Sequence, residues 1–125
     1  MVTPFVEDEL ADALESNVAT LNSTNLRVGA FQDSPGDGTL QAVIFNLGGE
    51  TEGRFRFRIM TRADDYRESV ELANEIYDFL HRLNNCTLVT IKLYMVTGQR
   101  PQQSGKDESN RYLTSADYLM EFSKV

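Results

Sequence analysis

The sequence predicts an α+β fold: a single two-layer domain over residues 1–125, with a mixed, mostly antiparallel sheet of about four to five strands packed by two main helices. Three stretches carry this expectation. Gly53-Arg54-Phe55-Arg56-Phe57-Arg58-Ile59-Met60-Thr61-Arg62 alternates arginine with apolar residues, the period of a strand with one dry face. After Asp64-Asp65 the period becomes helical, with Val70, Ala73, Ile76, Tyr77, Leu80 and Leu83 forming one apolar stripe. Near the start, Val6, Leu10, Leu14, Val18 and Leu21 give a second stripe of the same kind.

In chain order, Thr3 reads as an N-cap with Pro4 at the first helical position, and Glu7, Asp8 and Glu9 suit the positive end of the helix dipole. Asp12 and Glu15 fall on its wet side, and the helix is expected to fade between Asn17 and Asn22. Leu26 to Phe31 is the first strand, weakened by Gly29. Residues 32–39, centred on Asp33-Ser34-Pro35-Gly36-Asp37-Gly38, form a flexible surface loop. They lack the ligand series and closing glutamate of a calcium loop. Gln41 to Leu47 is apolar enough to be largely buried, and the glycine-rich turn after it pairs it with the arginine-bearing strand as an antiparallel hairpin.

The long helix is expected from about Asp65 to Leu83, with Glu68, Glu71 and Glu75 toward solvent and His81-Arg82 matching the dipole at its end. Asn84-Asn85 ends it and Cys86 begins a strand whose run, Leu88 to Val96, is apolar on both faces and reads as central. Residues 97–110 are expected to be a second flexible loop, rich in breakers between Thr97 and Gly105. The last strand, Tyr112 to Phe122, places Tyr112, Thr114, Ala116, Tyr118, Met120 and Phe122 on one face. Leu113, Ser115, Asp117, Leu119 and Glu121 take the other.

Composition narrows the function. One cysteine cannot bridge within the chain, so nothing depends on an oxidising compartment. No apolar run nears the roughly 20 residues of a bilayer span, and Met1-Val2-Thr3-Pro4 has no signal-peptide pattern, so cytosol-like surroundings and no membrane are expected. A net charge of −7 opposes nonspecific DNA binding. His81 is the only histidine, and no cysteine, second histidine or nucleophile stands at a catalytic or metal-ligating spacing from it. No catalytic, metal or cofactor residues are therefore assigned.

Arg54, Arg56, Arg58 and Arg62 are the least ordinary feature. They read either as a solvated strand face neutralised by acids on neighbouring strands, or as a face that meets an acidic surface of another subunit. Phosphate contact ranks last, because Phe55 and Phe57 point away and leave no stacking platform. If the last strand pairs with this one, Asp117 and Glu121 are the natural partners of the stripe.

The arginine strand, the Asp-Asp-Tyr helix start, Ala73-Asn74-Glu75-Ile76-Tyr77-Asp78-Phe79-Leu80, and Gly105-Lys106-Asp107-Glu108-Ser109-Asn110-Arg111-Tyr112 before Tyr118-Leu119-Met120-Glu121-Phe122 together carry a resemblance. From about Gly53 to Phe122 the chain resembles the tail terminator and minor capsid (tail completion) proteins of long-tailed bacteriophages. Their late segment typically reads Gly-Lys/Arg-Asp-Glu-x-x-Arg-Tyr before a strand that returns to the sheet. The chain departs from that pattern in a polar Arg100-to-Ser104 segment.

The resemblance implies a structural protein of the virion, made in the host bacterial cytoplasm, and not an enzyme. It implies a homo-oligomeric, hexameric ring at the head-proximal end of the tail tube, which stops tube polymerisation and offers a surface for head–tail joining. The implied partners are other copies of the chain, the major tail tube protein and a head-completion or connector protein, with DNA passing through the channel without specific binding. No cofactor is implied. Arg54, Arg56, Arg58 and Arg62 are then subunit-interface residues. Arg100, Lys106, Asp107, Glu108 and Arg111 are contacts to the tail tube or another partner. The rival readings are a head-closure or connector adaptor of the same virion and, from another class, a small metal-independent enzyme.

Overall fold

The computed structural model describes residues 6–22, 25–29, 40–48, 53–88, 90–107 and 110–124. The expected N-cap at Thr3, Pro4 at the first helical position, and the loop at 32–39 lie outside them. The described elements are α1 (Val6–Asn17), β1 (Leu26–Val28), β2 (Gln41–Gly48), β3 (Arg54–Ala63), α2 (Tyr66–Arg82), β4 (Asn84–Thr87), β5 (Ile91–Gly98), β6 (Gln102–Lys106) and β7 (Tyr112–Lys124). The architecture is α+β, with both helices packed on a sheet of seven strands, six in the order β1-β2-β3-β7-β5-β4 and the seventh, β6, paired with β7. Every strand pair is antiparallel except β1 with β2, which is parallel.

The four to five strands expected from hydrophobic pattern are therefore seven, and the two additions share one cause. β4 (Asn-Asn-Cys-Thr) and β6 (Gln-Gln-Ser-Gly-Lys) are polar and mostly exposed. Each is held by main-chain pairing to a neighbour, a bond that leaves no hydrophobic period in the sequence. Asn84 and Asn85 thus open a strand instead of ending a helix, and between β4 and β5 the Leu88 amide donates to the Ile91 carbonyl at 2.9 Å. The run 88–96, expected as one strand with two dry faces, is split. β5 buries Ile91, Leu93 and Val96, while Tyr94 and Met95 at its bulge are exposed.

Residues 97–110, expected as an irregular loop, are over their described part the end of β5, then β6, then a turn. β5 and β6 run consecutively along the same side of β7. β5 pairs with residues 118–124 and β6 with 112–115, and the Gln99 amide donates to the Asp117 carbonyl between them. They are two halves of one long strand, interrupted where Pro101 cannot donate.

The core lies between the helices and one face of the sheet. Val6, Leu10, Leu14, Val18 and Leu21 are all buried, as expected of the first helix and the turn after it. Phe55, Phe57 and Ile59 meet them from β3, and Ala116, Tyr118, Met120 and Phe122 from β7. Phe57 stacks on Phe55 at 5.0 Å and on Tyr118 at 5.2 Å between ring centres. Burial pushes the Tyr118 phenol above the usual tyrosine range, with Tyr77 and Asp78 adding to the shift, so the ring stays neutral.

α2 starts one residue later and ends one residue earlier than its stripe suggested. Asp65 caps it, the carboxylate accepting from the Arg67 amide at 2.8 Å, and Leu83 follows its last turn. Its buried positions are Ser69, Leu72, Ala73, Ile76 and Leu80, so Ser69 and Leu72 take the place expected of Val70. A serine belongs there because the sheet beneath is polar at that end. The Thr61 hydroxyl donates to the Ser69 carbonyl at 2.7 Å, and the Ser69 and Thr114 hydroxyls share a hydrogen bond of 2.8 Å. Glu9, read from sequence only as suiting the helix dipole, is also buried, with its carboxylate accepting from the Thr90 amide and hydroxyl. It ties α1 to Thr90, just before β5.

Gly98 ends β5 opposite Tyr118, and a Cβ there would sit 2.3 Å from Tyr118 Cδ1. The ring is buried and cannot yield freely. Gly98→Ala is expected to destabilise the protein by about 1–3 kcal/mol, the usual range for overpacking. A shift of the urea midpoint at unchanged slope checks it, and Gly98→Ala combined with Tyr118→Leu should recover part of the loss.

Candidate functional site

The face of the sheet away from the helices is built by alternation. With Phe55, Phe57 and Ile59 turned to the core, Arg54, Arg56, Arg58 and Arg62 share the opposite side of β3. β7 lies alongside in the register Arg54↔Glu121, Arg56↔Leu119, Arg58↔Asp117 and Arg62↔Leu113. The expected pairing of Asp117 and Glu121 with the arginines is therefore present. Arg58 grips Asp117 with two hydrogen bonds, Nε to Oδ1 at 2.6 Å and a terminal nitrogen to Oδ2 at 3.2 Å. The hydrogen bond to Asp117, and then its charge, raise the Arg58 pKa above its ordinary value against a small opposing effect of burial. The Arg54 to Glu121 distance is 3.9 Å, a looser ion pair. Both pairs are about half exposed and stabilise the fold by about 0.2–1 kcal/mol each.

Arg56 differs. Its cross-strand neighbours are Leu119 and Gly48, which offer no side-chain acceptor, and it has no ion pair or hydrogen bond among the described residues. It lines a groove of about 440 Å³ with Leu47, Thr97, Gly98, Gln99, Asp117, Tyr118 and Leu119. Leu47 and Leu119 were not singled out by sequence. Leu119 stands across from Arg56 in the register, and Leu47 lies at the bulge beside Gly48, Arg56's partner on β2.

Arg62 was expected with the other three as an exposed interface residue and is instead buried, at 4% exposure. A terminal nitrogen donates to Gln41 Oε1 at 3.0 Å, and the other lies 3.6 Å from Asp107 Oδ2. Gln41 is itself 1% exposed. Parity gives Arg62 the same face as Arg56, but at this end of the sheet that face is covered.

The residues expected to contact the tail tube divide in the same way. Asp107 organises the turn after β6: its carboxylate accepts from the Arg111 amide at 2.9 Å and lies 3.3 Å from Arg111 Nε, and its own amide donates to the Arg111 carbonyl. Asn110 takes the left-handed conformation that closes this turn. Asp107 and Arg111 thus serve the fold together with Arg62. Arg100 and Lys106 remain exposed, each over a tyrosine ring: Arg100 is 5.6 Å from the centre of Tyr77 and Lys106 4.6 Å from that of Tyr112. Glu108 lies outside the described residues. His81 is exposed in the last turn of α2 and stacks on Tyr77. Among the described residues, no three histidine, cysteine or acidic side chains gather where they could hold a metal ion. No described helix is long and apolar enough to cross a membrane.

Over residues 12–124, from within α1 to the end of β7, the sequence matches the family described as bacteriophage tail terminator protein. The chain belongs to that family. It is a structural protein of the phage tail, as the late-segment resemblance implied. Among solved structures, it is similar to a chain of the virion of a native gene transfer agent particle, with a TM-score of 0.63 and 12% identity, over 98% of this chain and all 100% of that one. A second solved chain aligns with a TM-score of 0.54 and 10% identity, over 96% of this chain and 97% of that one. At such identities the likeness is one of fold. The curated proteins contain no match to the sequence.

Proposed function

We propose that the protein forms a ring on the head-proximal end of the tail tube, where it stops addition of tube subunits and presents the surface to which the head is joined. Its place is then in the virion, at the head–tail junction. The observation that carries this reading is the family match, which spans the whole sheet including β3 and β7. Two structural features support it. The sheet is open, with β1 and β4 at its ends and no strand outside β6 among the described residues, so main-chain edges are available to neighbours. Complementary groups also stand on opposite faces, with Arg56 exposed on the open face and Glu68, Glu71, Glu75 and Asp78 exposed on α2. Copies joined head to tail close into a ring when the rotation between them closes. A net charge of −7 lets DNA pass without sticking, since repelled phosphates gain nothing from counterion release.

The test is electron microscopy of the purified protein mixed with tail tubes. Six-fold rings at one end of each tube, and tubes that no longer lengthen when tube subunit is added, are the expected result. Rings on the head connector with bare tubes would instead make the protein a head-closure adaptor. Absence of rings under either condition would overturn the assembly reading altogether.

A further inference from the structure

Arg56 is an exposed guanidinium with no acceptor among the described residues, lining an open groove together with Leu47 and Leu119. The carboxylate beside it, Asp117, has both oxygens engaged by Arg58. Such a groove suits a ligand with a short aliphatic stem and a terminal carboxylate: the stem lies against the leucines and the carboxylate meets the guanidinium, which accepts it in a bidentate fork. That description fits a glutamate side chain.

The same chain presents such glutamates where it cannot use them itself. Glu68, Glu71 and Glu75 are exposed along α2, spaced three and four residues apart and so on one face of the helix. Glu75 accepts a hydrogen bond from the Thr20 hydroxyl at 3.1 Å, whereas Glu68 and Glu71 have no partner among the described residues. α2 packs on the core face of the sheet, so these carboxylates cannot reach Arg56 of their own copy.

We infer that Arg56 of one copy receives Glu68 or Glu71 of the next, with the open face of the sheet lying against the outer face of the neighbour's α2. The contact is heterologous, because the two surfaces differ, and it repeats from copy to copy. It rests on the ring reading above and names the surfaces that make the ring. Arg54 and Arg58, already neutralised, leave Arg56 as the one uncompensated cation of the stripe's exposed part, and so as the residue that sets the register between copies.

Charge reversal with complementation tests it. Three proteins are compared by sedimentation velocity at a concentration where the wild type forms rings: wild type, Arg56→Glu, and Glu68→Lys/Glu71→Lys. All three positions are exposed, and circular dichroism melting is expected to match the wild type. Each variant alone is expected to sediment as single copies, since its contact sets like charges against each other. Their equimolar mixture is expected to recover rings of alternating copies, because in such a ring every contact again joins opposite charges. Rings from either variant alone, or a mixture that stays dissociated, would overturn this contact while wild-type rings left the proposed function standing. A wild type that forms no ring, alone or on tubes, would remove both.

Discussion

Arg62→Ala is expected to cost about 3–5 kcal/mol of stability, the range found when one member of a buried ion pair is removed. The guanidinium is almost wholly inside, between Gln41 Oε1 and the Asp107 carboxylate, and both partners are themselves at least partly buried. Alanine would leave an amide oxygen and a carboxylate without a donor they now use, and their desolvation is then poorly compensated. Because Asp107 also sets the turn that returns the chain into β7, the loss should spread to the pairing of β6 with β7. Urea unfolding gives the magnitude, and hydrogen exchange should show amides of β6 opening first. Arg56→Ala is the control. It changes the same residue type on the same face of the same strand, yet is expected to stay within about 0.5 kcal/mol of wild type. Equal losses at the two positions would mean that burial does not separate them.

Phe57→Ala is the second large effect, with an expected loss of about 3–5 kcal/mol. Phe57 is fully buried at the middle of a stack that runs from Phe55 to Tyr118, joining the two central strands under α2. Its removal takes apolar area out of the core and leaves a cavity that rigid strands on both sides cannot close. Phe57→Leu keeps most of the volume and should cost about half as much or less. Thermal unfolding followed by circular dichroism orders the variants. A Phe57→Ala protein as stable as wild type would show that the core repacks around the gap.

These two residues also mark how far the sequence could be read. Phe57 was legible because alternation in β3 reports burial directly, and the same parity made Asp117 and Glu121 partners of the stripe if the strands pair; the register adds which arginine each meets. Arg62 was misread by that same rule. Alternation assigns a face of the sheet, but whether that face is wet depends on what covers it, here partly a turn some 45 residues further along the chain. β4 and β6 escaped notice because main-chain pairing needs no particular side chains. Glu9 escaped because its acceptor role depends on Thr90, with which it shares no local pattern. Arg56 was indistinguishable from its neighbours until the register set a leucine, and not an acid, across from it.

β7 follows every other described strand along the chain, yet it is the partner of β3 on one side and of β5 and β6 on the other. A nascent chain that has not reached Tyr112 holds two fragments of sheet with no strand pairing between them, and β3 has only β2 beside it. The surface proposed to meet another copy takes shape only once β7 has joined the sheet. A chain cut short before Tyr112 would lack the β7 half of that surface.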